Sequence, residues 1–146
     1  MKKKIVTLFA LVILAATTTF AAAQDISKNA LTTFTKSYAK ATNVKWDKEN
    51  NYYKASFEMN GQSLNALLSE EGDMIAVSRN ILSTELPINL QASLNKDYSA
   101  YWISGLVEYA VDNETKYFVT VENADQKTTL ESVGTYDWSS IIKVAK

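Results

Sequence analysis

The chain has 146 residues, 15 of them basic and 16 acidic, and contains neither histidine nor cysteine. Those two absences remove the commonest general base near neutral pH, the serine–histidine and cysteine–histidine nucleophile systems, disulfides, and the usual zinc, copper and haem ligands. No cluster of Lys or Arg follows the first four residues, which argues against nucleic acid and against a polybasic membrane contact as partners.

Met1-Lys2-Lys3-Lys4, an apolar run over 5–16 and the small residues Ala21-Ala22-Ala23 predict a secretory leader over 1–23, cleaved before Gln24. No membrane span is expected once it is removed, which places the protein in the periplasm or the medium. The leader takes three lysines and no acid with it, so the mature part is net acidic. Roughly 120 residues remain, enough to stabilise a core without disulfide staples.

Ile26, Ala30, Phe34 and Tyr38 recur every fourth residue, with Leu31 beside them, and predict an amphipathic helix from about 27 to 40. Strand character follows at 44–47, 52–59, 62–69 and 74–80. The intervening Glu49-Asn50-Asn51, Asn60-Gly61 and Glu70-Glu71-Gly72-Asp73 suit tight turns, so the four strands read as an antiparallel meander. In the second, Tyr53, Ala55, Phe57 and Met59 alternate with Tyr52, Lys54, Ser56 and Glu58, which puts an apolar face under the helix and a mostly polar face outward. Ser83-Thr84-Glu85-Leu86-Pro87 reads as a second helix start with proline in the first turn, and Leu86, Leu90, Leu94 and Tyr98 form its stripe. Strand patterns return at 102–111, 116–123, 127–132 and 136–144, with turns at Asp112-Asn113-Glu114, Asn123-Ala124-Asp125 and Gly134.

The segment from Tyr53 to Gln62 returns from Tyr117 to Gln126 with Tyr, Glu and Gln at matching places. Phe34 to Tyr38 is echoed by Leu94 to Tyr98. One supersecondary unit is therefore expected twice, over 24–82 and 83–146. The fold class that follows is α+β, with two tandem helix plus four-stranded antiparallel sheet units forming one larger sheet and both helices on one face.

Few constellations carry chemistry. Ser37-Tyr38-Ala39-Lys40 matches Ser-x-x-Lys, but the accompanying elements are missing, Lys127-Thr128-Thr129 being the nearest approach to Lys-Thr-Gly. Glu70-Glu71-Gly72-Asp73 gathers carboxylates around a glycine without the ligand spacing of a calcium loop, and reads as a solvated turn. Glu58 and Glu122 occupy equivalent strand positions facing the open side and read as solubility charges. Asn113-Glu114-Thr115 is a sequon in a hairpin and reads as a turn. No catalytic residue, metal site or cofactor is assigned, and the chain reads as a non-enzyme.

Aromatic residues are in surplus. Strand parity places Tyr52 and Phe118 on the outward face with Lys54, Glu58, Lys116 and Glu122, and Trp102 joins them. Aromatic anchors among mixed charges suit a protein or peptide partner; a covering strand or a second copy of the chain would explain the same aromatics. The alternative function is a small-molecule-binding or envelope-structural module using the groove between helices and sheet, where a ligand would have to fit in space that Phe34, Phe57, Leu90 and Val119 are expected to fill by packing.

Ala41-Thr42-Asn43-Val44-Lys45-Trp46 after the first helix, then Tyr53-Lys54-Ala55-Ser56-Phe57 with Asn60-Gly61, the Gly72 turn and Leu86-Pro87, resemble the PepSY-like family of small exported bacterial proteins, typical of Bacteroidetes. The resemblance covers essentially all of the mature chain. It implies an architecture similar to the β-lactamase inhibitor proteins, with tandem helix-plus-sheet units, and a role in binding or inhibiting secreted enzymes; no catalytic residue is implied. Gly134-Thr135-Tyr136 departs from the family's Gly-and-acid turn in the last hairpin.

Overall fold

The computed structural model describes residues 26–146. The expected leader over 1–23 and its cleavage point before Gln24 lie outside the described residues. Within them the order is α1 (Lys28–Ser37), β1 (Thr42–Glu49), β2 (Tyr52–Met59), β3 (Gln62–Ser69), β4 (Met74–Asn80), a 3-10 turn (Ser83–Glu85), α2 (Ile88–Asp97), β5 (Trp102–Val111), β6 (Glu114–Glu122), β7 (Gln126–Val133) and β8 (Asp137–Ala145). The strands form a single eight-stranded sheet in chain order, with every neighbouring pair antiparallel. The protein is α+β.

Ser27 caps α1 by accepting the Ala30 N–H, and the helix seats Ala30 and Phe34 on Tyr53, Ala55, Phe57, Ala66 and Leu68. It stops at Ser37, earlier than its stripe predicts. Tyr38 leaves the helical region at φ −129° and its carbonyl accepts the Ala41 N–H. Ser37 and Lys40 therefore do not share a helix turn, and the Ser-x-x-Lys geometry does not form.

The second helix begins later than expected. Ser83–Glu85 makes only a 3-10 turn, with a Glu85 carboxylate oxygen accepting the Leu82 N–H at 2.7 Å. Leu86 is extended, at φ −65° and ψ 151°, and Pro87 is the N-cap of α2. The physical reason is the proline ring, which disfavours helical backbone in the residue before it. Leu90 and Leu94 of α2 pack on Leu106, Val119, Val121 and Leu130. In register, Ala55 faces Ala66 and Val119 faces Leu130, so each helix covers alternate residues of its strands.

Asn60-Gly61 and Asp112-Asn113 turn with positive φ at both residues, which matches the twist of the strands they join. Gly72 has a different task. Its φ is +97°, and a Cβ there would stand 2.8 Å from the Asn29 carbonyl carbon, so the β3–β4 turn lies directly on the start of α1. Ser27 Oγ donates to the Glu70 carbonyl at 2.8 Å, and Lys48 pairs with the Glu70 carboxylate at 2.8 Å. The acidic turn is a clasp between sheet and helix.

β4 and β5 close the sheet at its centre, pairing Val77 with Ala110 and Arg79 with Glu108. A third cluster, Ala76, Tyr109 and Phe118 with Leu67 and Val107, lies on the face opposite the helices. That face is more apolar at its centre than the mostly polar face that alternation in β2 predicts.

Candidate functional site on the helix-free face

The register assigns each strand's residues to a face. Lys54 and Ser56 of β2 lie opposite Leu67 and Asn65 of β3, and Leu67 opposite Ala76 of β4. Ser78 then pairs with Tyr109, Val107 with Phe118, and Thr120 with Thr129. These residues share the side away from both helices. There all of them but Ser56 line a trough of about 620 Å³ that runs across the strands from Lys54 to Val144.

Its form follows from side-chain size. Ala76, Ser78 and Gly105 are small, while Leu67, Val107, Tyr109 and Phe118 stand around them. Tyr109 and Phe118 meet edge to face with centroids 5.2 Å apart. Burial pushes the Tyr109 hydroxyl above its ordinary pKa, partly offset by a hydrogen bond with Ser78. Thr120 and Thr129 hydroxyls approach to 3.4 Å, and Ser56 donates to Asn65 at 2.8 Å. Much of the polar lining is thus satisfied from within the protein.

The residues singled out in the sequence divide between this trough and its surroundings. Lys54 and Phe118 line it. Lys54 is paired with Glu49 at 3.0 Å, and Phe118 is only 3% exposed, part of the floor. Tyr52 is half-buried at the start of β2, and Glu58 is exposed at its far end, accepting a hydrogen bond from the Asn43 side chain at 2.9 Å. Lys116, opposite Tyr109, pairs with Glu131 at 2.7 Å. Trp102 is 53% exposed, and the Lys146 ammonium sits 4.6 Å from its ring centroid.

Glu122, opposite Trp102, gives one oxygen to Lys146 at 2.8 Å and the other to Lys127 at 3.3 Å. The Lys146 ammonium, then the Ser104 hydroxyl, hold its carboxyl down to about 2. Parity missed Ser78, Tyr109, Lys127 and Ile142. β-bulges between Ile103 and Gly105 and between Thr129 and Leu130 reset the alternation within β5 and β8, so counting by twos from Trp102 or Ser139 loses Tyr109 and Ile142, whereas Ser78 with Ala76 and Lys127 with Thr129 lie on uninterrupted alternation.

The groove between helices and sheet is occupied by the protein itself: Phe34, Phe57, Leu90 and Val119 are core residues. A small-molecule site there is displaced by packing. Among the described residues no group of three or more carboxylates gathers to hold a metal, and no helix is long and apolar enough to cross a membrane.

No family model and no curated protein sequence matches the chain. Solved structures share its fold. A BLIP-like protein from Bacteroides fragilis superposes with a TM-score of 0.70 at 20% identity, over 84% of this chain and 88% of that one. A DUF2874 family protein from Bacteroides ovatus gives 0.74 at 20% identity over 84% and 89%. A candidate periplasmic protein from Bacteroides eggerthii gives 0.72 at 14% identity over 86% and 90%. At such identities the likeness establishes the fold.

Proposed function

We propose that the chain is an exported, non-enzymatic binding module that receives a protein or peptide partner on the helix-free sheet face. Inhibition of a secreted enzyme is the specific form of that role, and the periplasm is its place of action. The reading includes membership of the PepSY-like family and a chain built from two copies of one helix-plus-four-strand unit. The order of elements, and Tyr53 of β2 and Tyr117 of β6 each packing against the core under a helix, support the latter. The BLIP-like and candidate periplasmic neighbours support the binding role and the periplasmic setting.

The observation that carries the function is a concave apolar trough bordered by ion-paired lysines, with the large, exposed Trp102 on the same face. Interfaces draw most of their energy from a few such aromatic anchors surrounded by polar rim contacts. Tyr52, Lys54, Glu58, Lys116, Phe118 and Glu122 complete the contact surface.

A photo-crosslinking residue placed at Trp102 or Lys116 is expected to capture one envelope protein, while the same residue at Leu31 on α1 captures none. With the captured protein purified, Trp102→Ala should weaken binding about thirtyfold, equivalent to roughly 2 kcal/mol. Equal capture from the helix side, or unchanged affinity in Trp102→Ala, would refute the reading.

A further inference from the structure

The charged side chains that line the trough are Lys54 and Lys127, and no carboxylate among the described residues lines it with them. The two lysines differ. Lys54 is closely paired with Glu49 at 3.0 Å and is 24% exposed. Lys127 is 51% exposed and holds Glu122 at 3.3 Å, while Lys146 takes that carboxylate's other oxygen at 2.8 Å. An ammonium has three donors, so Lys127 keeps capacity for another anion. The Ser104 and Thr129 hydroxyls belong to the same lining.

From Lys127 on β7 to Lys54 on β2 is five strand spacings, about 24 Å along a flat sheet and less along a curved one. Between them the apolar lining is Leu67, Ala76, Val107 and Phe118 with the Tyr109 ring, set among Asn65, Ser78, Asn80 and Ser104, and Ile142 and Val144 of the edge strand β8 extend it beyond Lys127. The Thr120, Thr129 and Asn65 side chains have partners within the protein. A volume of about 620 Å³ falls in the range of small-molecule sites, which are commonly apolar with a few placed polar groups.

We propose that the trough is a binding site for an anionic amphiphile, a carboxylate on a single apolar chain, with its head at Lys127 and its chain along Val107, Phe118 and Leu67. Head and chain have separate determinants. The ammonium of Lys127 selects negative charge, and the elongated floor selects an extended hydrocarbon over a compact ring. The site needs no protein partner, so it stands or falls apart from the function proposed above.

The test is calorimetric titration of the purified protein with dodecanoate, dodecylammonium and 1-dodecanol, each below its aggregation threshold. Dodecanoate is expected to bind one per chain, and dodecylammonium at least about tenfold more weakly, about 1.4 kcal/mol. Lys127→Gln should lower dodecanoate affinity about tenfold, to that of 1-dodecanol, whereas Lys36→Gln on α1 should not alter it. Gly105→Leu should weaken binding of every probe at least about tenfold, since a Cβ at Gly105 meets only Thr120, at 3.9 Å, and the side chain projects into the trough between Lys127 and Val107. If Gly105→Leu does not fold, as circular dichroism would report, the exposed Lys127→Gln variant carries the test. Equal affinity for dodecylammonium, no effect of Lys127→Gln, intact binding in folded Gly105→Leu, or no dodecanoate binding at about millimolar concentration would each overturn the proposal. Such a failure leaves the cross-linking result at Trp102 untouched.

Discussion

Glu122 divides its two oxygens between Lys127 and Lys146, and the second of these lies over the ring of Trp102. Its folded-state pKa of about 2 lies below the ordinary glutamate value of about 4.3. A depressed carboxyl contributes stability that is complete above the unfolded value and disappears as pH falls through the folded one, because the unfolded chain binds the proton first. The window is therefore from about pH 4.3 down to about pH 2. Carboxyl chemical shifts are expected to place the Glu122 midpoint near the lower limit, and Lys146→Met should move it upward. A wild-type midpoint at the ordinary value would contradict the ion-pair arrangement. Trp102 fluorescence should change in the same window, as Lys146 is released from the ring.

Strand β8 is fastened to α2 by two polar contacts. The Trp138 indole N–H donates to the Leu90 carbonyl at 3.1 Å, and the Ser93 hydroxyl donates to Asp137 at 2.9 Å. The Trp138 backbone N–H and then Ser93 hold the Asp137 carboxyl below its usual range. Trp138→Phe keeps an aromatic ring over α2 but removes the indole donor, and should cost about 1 kcal/mol in urea unfolding. A larger loss would mean that packing, rather than the hydrogen bond, dominates at this position.

The strands at 52–59, 62–69, 74–80 and 102–111 coincide with the segments that alternation and turn residues pick out, because local pattern and sheet register agree there. Where neighbours intervene, the pattern misleads. The stripe of α1 runs on to Tyr38, which packs against Phe34 and Phe57 from outside the helix. Leu86 continues the stripe of α2 and is buried in its core, yet the proline after it holds it extended. Parity put Phe118 on the correct side of the sheet. It could not show that Tyr109, Val107 and Leu67 converge on it and cover it, since curvature and bulges arise from contacts between strands distant in sequence.

Two cores lie under the helices, one around Phe34 and Phe57 and one around Leu90 and Val119. The third cluster crosses the β4–β5 seam from the other side, joining Leu67 and Ala76 to Tyr109 and Phe118. On the helix side of that seam Arg79 reaches Glu108 at 2.9 Å and Glu85 at 3.2 Å. A seam bonded through the backbone and packed on both faces should make the molecule unfold in one step. Trp46, against the first core, and Trp138, against the second, are natural reporters. Followed in the same wild-type protein, the indole resonances of Trp46 and Trp138 should give the same urea midpoint. Arg79→Met should lower both together by about 1 kcal/mol, the partly exposed ion pairs being individually modest. Separate midpoints would show that the halves unfold independently.

The sheet's chain-order topology bears also on how it is made. Each ladder joins strands that follow one another, across connections of a few residues or one short helix. A polypeptide emerging end first from a ribosome or a translocation pore finds each new strand's template already present, and little loop entropy opposes the pairing. Assembly can advance hairpin by hairpin in the direction of emergence, with no strand left waiting for a mate from the far terminus.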